Sequence, residues 1–221
     1  MDLQAVWLTV QLALTTCVVL LLLGLPLAWW LARTRSRTRF VVEAVVALPL
    51  VLPPTVLGFY VLVATAPGSV IGDAILAVTG EQLPFSFGGL LLGSILFNLP
   101  FAVRPFAAAF ASVDPRYYEA AASLGASPQR TFWSIGVPLA WPGLLAGTVL
   151  CFAHSIGEFG VVLMVGGNIP SVTRTLSISI YDDVQAMNYD SAASTSLWLV
   201  LAALVLLTVV QLLQRRTRGG L

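Results

Sequence analysis

Residues 119–138 read EAAASLGASPQRTFWSIGVP, and their reading decides how the chain is organised. No other run of this length is built to meet water rather than lipid without being simply a loop, and it lies between two long apolar segments. Asp114 stands directly before Pro115. An Asp at a helix N-cap accepts from the free N–H groups of the first turn, and Pro suits the first helical position because its missing N–H is not needed there. The spacing predicts a helix over 115–124, ended by Gly125 in the left-handed conformation. Ser127-Pro128 repeats the start signal at once, so two short helices joined by a sharp turn are expected. Capping signals alone describe no more than an ordinary loop between two spans.

Composition sets the environment of that loop. Of 221 residues, 58% are hydrophobic and only 10% charged, too apolar for a soluble domain and typical of a chain that crosses a membrane several times. The eleven basic residues are all Arg. Cys17 and Cys151 fall inside apolar segments, and neither has neighbours at metal-ligand spacing. His154, the single His, is expected to pack against a neighbouring helix, with no catalytic role. The N-terminus does not resemble a secretory leader: it carries Asp2 instead of a basic region, and Arg residues follow the first apolar stretch.

Five segments are long enough to span, at roughly 20 residues each. The first, 7–32, runs into Arg33, Arg35, Arg37 and Arg39, a basic cluster that belongs in the cytoplasm and places the N-terminus outside. The second, 41–66, contains Pro49, Pro53 and Pro54, three prolines in six residues, and must break there. Such a break is tolerated at membrane depth only inside protein or beside water, so Pro53 and Pro54 either line a pathway or mark a plain kink. Residues 67–86 form an outer loop with a short interfacial helix over 71–78.

The third span, 87–111, holds Asn98 and Arg104, candidates for a pathway or gate. Arg104 reads alternatively as a side chain snorkelling to the inner surface, and Glu43 is its expected ion partner. The fourth, 139–165, has Glu158 near its outer end, within GEFG (157–160), either as part of a gate or as an interfacial residue bonded to backbone. The second outer loop, 166–190, is rich in Ser and Thr around Arg174, which either meets an anion or a binding protein, or is simply solvated. The last span, 192–213, ends at Arg215, Arg216 and Arg218. Ten of the eleven Arg then lie in or next to inner-side segments, with Arg174 the exception. The expected fold is an all-α polytopic membrane bundle of about five transmembrane helices. Its N-terminus is outside and its C-terminus cytoplasmic, and residues 1–221 form one transmembrane domain with a cytoplasmic coupling helix.

Glu119, Ala120, Ala121, Gly125, Ile135 and Pro138 stand at the spacing of the EAA loop of ABC-importer permeases, with Val137 where that loop usually has Leu. The resemblance makes 112–138 a coupling loop that docks in a cleft on a cytoplasmic ATPase. LPLVLPPTVLG (48–58), GEFG (157–160) and NIPSVTRT (168–175) extend it to the molybdate permease subunits of that family. Sulfate and thiosulfate permeases share the proline-rich and GEFG-like segments and stay as the alternative. The resemblance implies a second copy of the chain, two ATPase subunits and an extracytoplasmic binding protein, in a cell membrane. It implies no cofactor, no metal and no nucleic acid. The sequence has no G-x-x-x-x-G-K-[ST] phosphate loop and no catalytic cluster, so no enzyme is expected and ATP is expected to be hydrolysed by a partner. A carrier working alone would more often show an inverted repeat, and none is visible.

Overall fold

The computed structural model describes residues 2–218, with side chains as far as Thr208. Among the described residues all regular structure is helical. Helix α1, Leu3–Arg33, opens on Asp2, whose carboxylate accepts from the N–H groups of Gln4 and Ala5. Asp2 is thus a helix cap. Exposed Trp7 and Trp30 stand about 35 Å apart along α1, at about 1.5 Å per residue. That separation matches a hydrocarbon layer of about 30 Å with an aromatic residue at each face.

The second expected span breaks where the prolines require it. Helix α2 covers Arg39–Val51 and α3 covers Pro54–Thr65, with a bend of 112° between them. Leu52 is extended (φ −74°, ψ 137°), as the residue before a proline tends to be. Pro53 caps α3 and Pro54 takes its first position. Pro49 is absorbed within α2, so two of the three prolines make the break.

Helix α4, Val70–Thr79, is the expected short outer helix, capped by Ser69. Helix α5, Phe87–Ala111, keeps the predicted bounds. Helix α6, Pro115–Ser123, begins at Asp114 as read. At its end the Gly125 N–H donates to Ala122 O and the Ala126 N–H to Ala121 O, with Gly125 at φ +75°. This is the Schellman closure the glycine announced.

The second helix of the loop differs from expectation. Helix α7, Pro128–Thr131, passes without interruption through a π-helical turn, Phe132–Gly136, into α8, Val137–Ile156. Together they form one apolar run of 29 residues. The wide turn lies just before Pro138, which has no N–H to give and whose ring crowds the carbonyl four residues back. The helix that carries the fourth span therefore starts at 128 and stops at 156, and does not cover 139–165. Gly157, Glu158 and Phe159 break it, and α9, Gly160–Gly166, follows as a separate short helix. Helix α10, Leu176–Gln185, lies within the expected second outer loop, and α11, Tyr189–Arg218, is the last span. Arg215, Arg216 and Arg218 fall in the last turns of α11, beyond the described side chains. Among the described residues four helices are long and apolar enough to cross a membrane, or five if α2 and α3 count as one bent span.

Helix α5 is the centre of the bundle, with α1 and α8 packed along it around Phe106, Phe110, Val103, Leu20 and Leu144. Lipid tails are as apolar as these side chains, so close contact holds the helices together and not removal of water. Small residues supply it: a Cβ at Gly143 would stand 2.6 Å from Ala109 Cβ, and one at Gly147 2.9 Å from the Phe106 ring. The expected Glu43–Arg104 pair does not form. Glu43 binds Arg39 one helical turn away at 2.8 Å, the shorter reach, and Arg104 is exposed on α5.

Candidate functional site

At the arginine-rich end, helix α6 is fixed by one face only. Tyr118 and Ala121, three apart, are buried, while Tyr117, Glu119, Ala120, Ala122 and Leu124 are exposed. Trp29 of α1 is the anchor. Its ring meets Phe110, Tyr118 and Phe132 edge-on, with centroids 5.3, 5.3 and 5.4 Å away. Arg33 lies over Tyr118 at 4.1 Å and over Trp29 at 4.7 Å. Burial pushes the Tyr118 phenol above its usual range and the Arg33 guanidinium partly opposes this, so the ring stays neutral beneath the cation. One aromatic cluster thereby ties α6 to α1, α5 and the π turn. Behind α6 a groove of about 250 Å³ is lined by Leu124, Gly125, Arg130 and Ile135, among others. Ile135 lies in the π turn, half-buried, and Pro138 is exposed in the first turn of α8.

The second site lies where the two helix breaks meet. Helix α3 packs along α9, and a Cβ at Gly58 would stand 2.6 Å from Met164 Cβ. One at Gly160 would stand 2.7 Å from Pro54 Cβ. Beside this contact is a cavity of about 600 Å³ lined by Pro54, Thr55, Phe97, His154, Glu158 and their neighbours. The Glu158 side chain, 5% exposed, folds back so that Oε1 accepts from the Val161 N–H at 2.7 Å. It caps α9 from within the break.

Asn98 is fully buried one residue behind Phe97. Its amide nitrogen donates to Ser94 O at 2.9 Å, and its oxygen lies 2.9 Å from His154 Nδ1. Ser94 Oγ accepts from Thr16 at 3.0 Å, so a polar string runs from α1 through α5 to α8. His154 also stacks on Phe101, with ring centroids 3.7 Å apart. Pro54 and Glu158 thus line one cavity, Asn98 is buried behind it and joined to it only through His154, and neither Pro53 nor Arg104 lines it. Arg174 lies elsewhere, closed into a triad: its Nε donates to Asn168 Oδ1 at 2.6 Å and a terminal nitrogen lies 3.4 Å from Asp182.

The sequence matches the family model of binding-protein-dependent transport system inner membrane components over residues 24–219. The chain belongs to that family. It is 49% identical to the molybdenum transport system permease protein ModB of Azotobacter vinelandii over 220 residues, covering all of this chain and 97% of that protein. A probable sulfate transport system permease protein of Chlorella vulgaris is 31% identical, covering 96% and 79% respectively. The fold matches that of the MetNI methionine ABC transporter in an inward facing conformation, with TM-score 0.76 at 17% identity, covering 98% of this chain and 95% of that one. This permease is therefore a multi-pass inner-membrane component, of a family of transport subunits and not of enzymes.

Sequence reasoning missed Trp29, His154 and the Asn168–Arg174–Asp182 triad. A Trp next to the basic cluster reads as an interface residue, and nothing in the sequence marks which rings it meets. His154 is packed as expected, but it also lines the cavity. Asp182 belongs to α10, a helix that ends at Met187 in the left-handed conformation (φ +57°), where a glycine would have signalled the stop.

Proposed function

We propose that this chain, acting as one transmembrane domain, is the permease subunit of an ATP-driven importer for molybdate, tungstate included as an oxyanion of the same shape and charge. The observation that carries the substrate is the 49% identity along the whole chain to a molybdenum permease, against 31% to a sulfate permease. Two copies of the chain form the pathway, two ATPase subunits bind the arginine-rich end, and an extracytoplasmic binding protein delivers the anion. That end is cytoplasmic, as its Arg content argues. Residues 112–138 form the coupling loop. ATP closes the ATPase dimer, the exposed face of α6 around Glu119 and Ala120 moves with it, and the Trp29 cluster passes that displacement to α1 and α5. Pro53, Pro54, Asn98 and Glu158 border the pathway at the two helix breaks. Arg174, held in its triad at the far end, faces the binding protein.

ATP hydrolysis by the chain reconstituted with its ATPase and binding protein tests the substrate. Molybdate at low concentration is expected to stimulate hydrolysis, with little response to sulfate. The reverse preference sinks the molybdate reading and keeps the permease.

Coupling has its own test at Gly125, whose φ of +75° and bonded N–H are both incompatible with proline. Gly125→Pro is expected to lower uptake at least about tenfold, the effect of about 1.4 kcal/mol lost from the coupled state, while the membrane bundle still assembles. Glu119→Lys, which reverses an exposed charge, is expected to act in the same direction. Normal uptake in both variants removes the coupling role from this loop.

A further inference from the structure

Among the described residues, His154 is the one side chain lining the 600 Å³ cavity that can carry positive charge. Its protonation can be read from its neighbours. Ser94 O is a carbonyl and only accepts, so the Asn98 atom 2.9 Å from it is the amide nitrogen. The Asn98 oxygen therefore faces His154 Nδ1 at 2.9 Å, and Nδ1 carries a proton to donate to it. In the neutral ring Nε2 is then a bare lone pair, which repels an anion. Only a proton on Nε2 makes it a donor. The other groups around the ring leave one titratable neighbour. Thr55 from α3 and Phe97, Asn98 and Phe101 from α5 do not titrate, and among the described residues no titratable side chain of α1, α9 or α11 lines the cavity. Glu158 does titrate, and its Oε1 is engaged by the Val161 N–H at 2.7 Å.

Resting on the oxyanion-importer reading, we propose that His154 is an oxyanion subsite within the membrane, binding the anion through Nε2 and taking up one proton from water as the anion enters. The proton returns to water when the anion leaves. No bond other than this N–H forms or breaks, and nothing is oxidised or reduced. The cost of a dianion in a cavity walled by Phe97, Pro54 and Phe159 is lowered because one positive charge enters with it. The Asn98–Ser94–Thr16 string fixes the ring nitrogen that stays protonated and leaves the other for the ligand.

The test is molybdate uptake by proteoliposomes carrying the whole complex, normalised to assembled complex, between about pH 8 and pH 6. Uptake by the wild-type is expected to rise by up to about tenfold per pH unit, as a step requiring one imidazolium does. His154→Gln keeps a group able to bond Asn98 but takes up no proton, and its profile is expected to lose that slope. His154→Asn, which also takes up no proton, is expected to be flat as well, and it serves if the Gln variant does not assemble. Proton effects on the binding protein or ATPase are common to all three complexes and cancel in the comparison. Variants whose slope equals that of the wild-type, whatever that slope is, overturn the subsite and leave the importer reading standing. A wild-type complex that moves no molybdate at any pH overturns the importer reading, and this one with it.

Discussion

Replacing Trp29 with alanine is expected to separate α6 mechanically from the membrane bundle. The ring is bracketed by Phe110, Tyr118 and Phe132, all within 5.4 Å, and Arg33 covers its face. Removing an aromatic side chain from such packing typically costs about 3–5 kcal/mol. The loss falls on the one cluster that fixes the buried face of α6, so uptake per assembled complex is expected to fall at least about tenfold. A lower melting temperature of the detergent-solubilised complex should accompany it. Tyr118→Phe is the control: its hydroxyl lies 3.5 Å from Phe110 O, at the limit of a hydrogen bond, so a change below about 1 kcal/mol is expected.

Gly136 makes the same argument testable by a double-mutant cycle. A Cβ there would lie 2.4 Å from the Trp29 ring, which is held edge-on by Phe110, Tyr118 and Phe132. Gly136→Ala alone is expected to cost about 1–3 kcal/mol by overpacking. In the Trp29→Ala background the obstruction is gone, and the second substitution should add nothing. Additive losses would show that Trp29 and Gly136 do not bear on each other.

The other large effect is expected at Gly58. Helices α3 and α9 approach closely there, with Met164 Cβ 2.6 Å and Val161 Cα 3.2 Å from the position a Cβ would take. Backbone cannot yield as a side-chain tip does, so Gly58→Leu must push the two short helices apart. Overpacking of this kind costs about 1–3 kcal/mol and more when backbone is met. The displacement would open the contact beside the cavity, and uptake should be abolished or lose its dependence on ATP. Gly160→Leu, aimed at Pro54 Cβ 2.7 Å away, should act likewise. Gly157 gives the contrast within the same GEFG segment. The nearest heavy atom to its Cβ position is 3.8 Å away and its φ is −84°, so Gly157→Ala should be tolerated. Equal sensitivity at 157 and 160 would contradict the close packing of α3 on α9.

The parts legible in the sequence are those with local signals. Asp114, Pro115 and Gly125 fix both ends of α6 by caps that act within four residues. The Pro53-Pro54 pair breaks a helix whatever surrounds it. The break at Gly157–Phe159 was not legible, because no proline marks it and the side chain that stabilises it, Glu158, acts only once α9 has formed. The run from Pro128 into α8 is hidden for a related reason: a start signal at Ser127 says where a helix begins, not how far it continues. Glu43 pairs with Arg39, one turn away, and not with the distant Arg104, because the local partner is within reach at once. The Trp29 cluster and the Asn98–His154 bond join residues 56 to 103 positions apart, and no window along the chain contains them.

The most direct measurement is accumulation of molybdate by proteoliposomes holding the complete complex, with and without ATP, beside the Gly125→Pro complex. Accumulation that requires ATP and disappears in the variant is the expected result. Accumulation without ATP, unchanged by the variant, would contradict the central claim and describe a carrier that works alone.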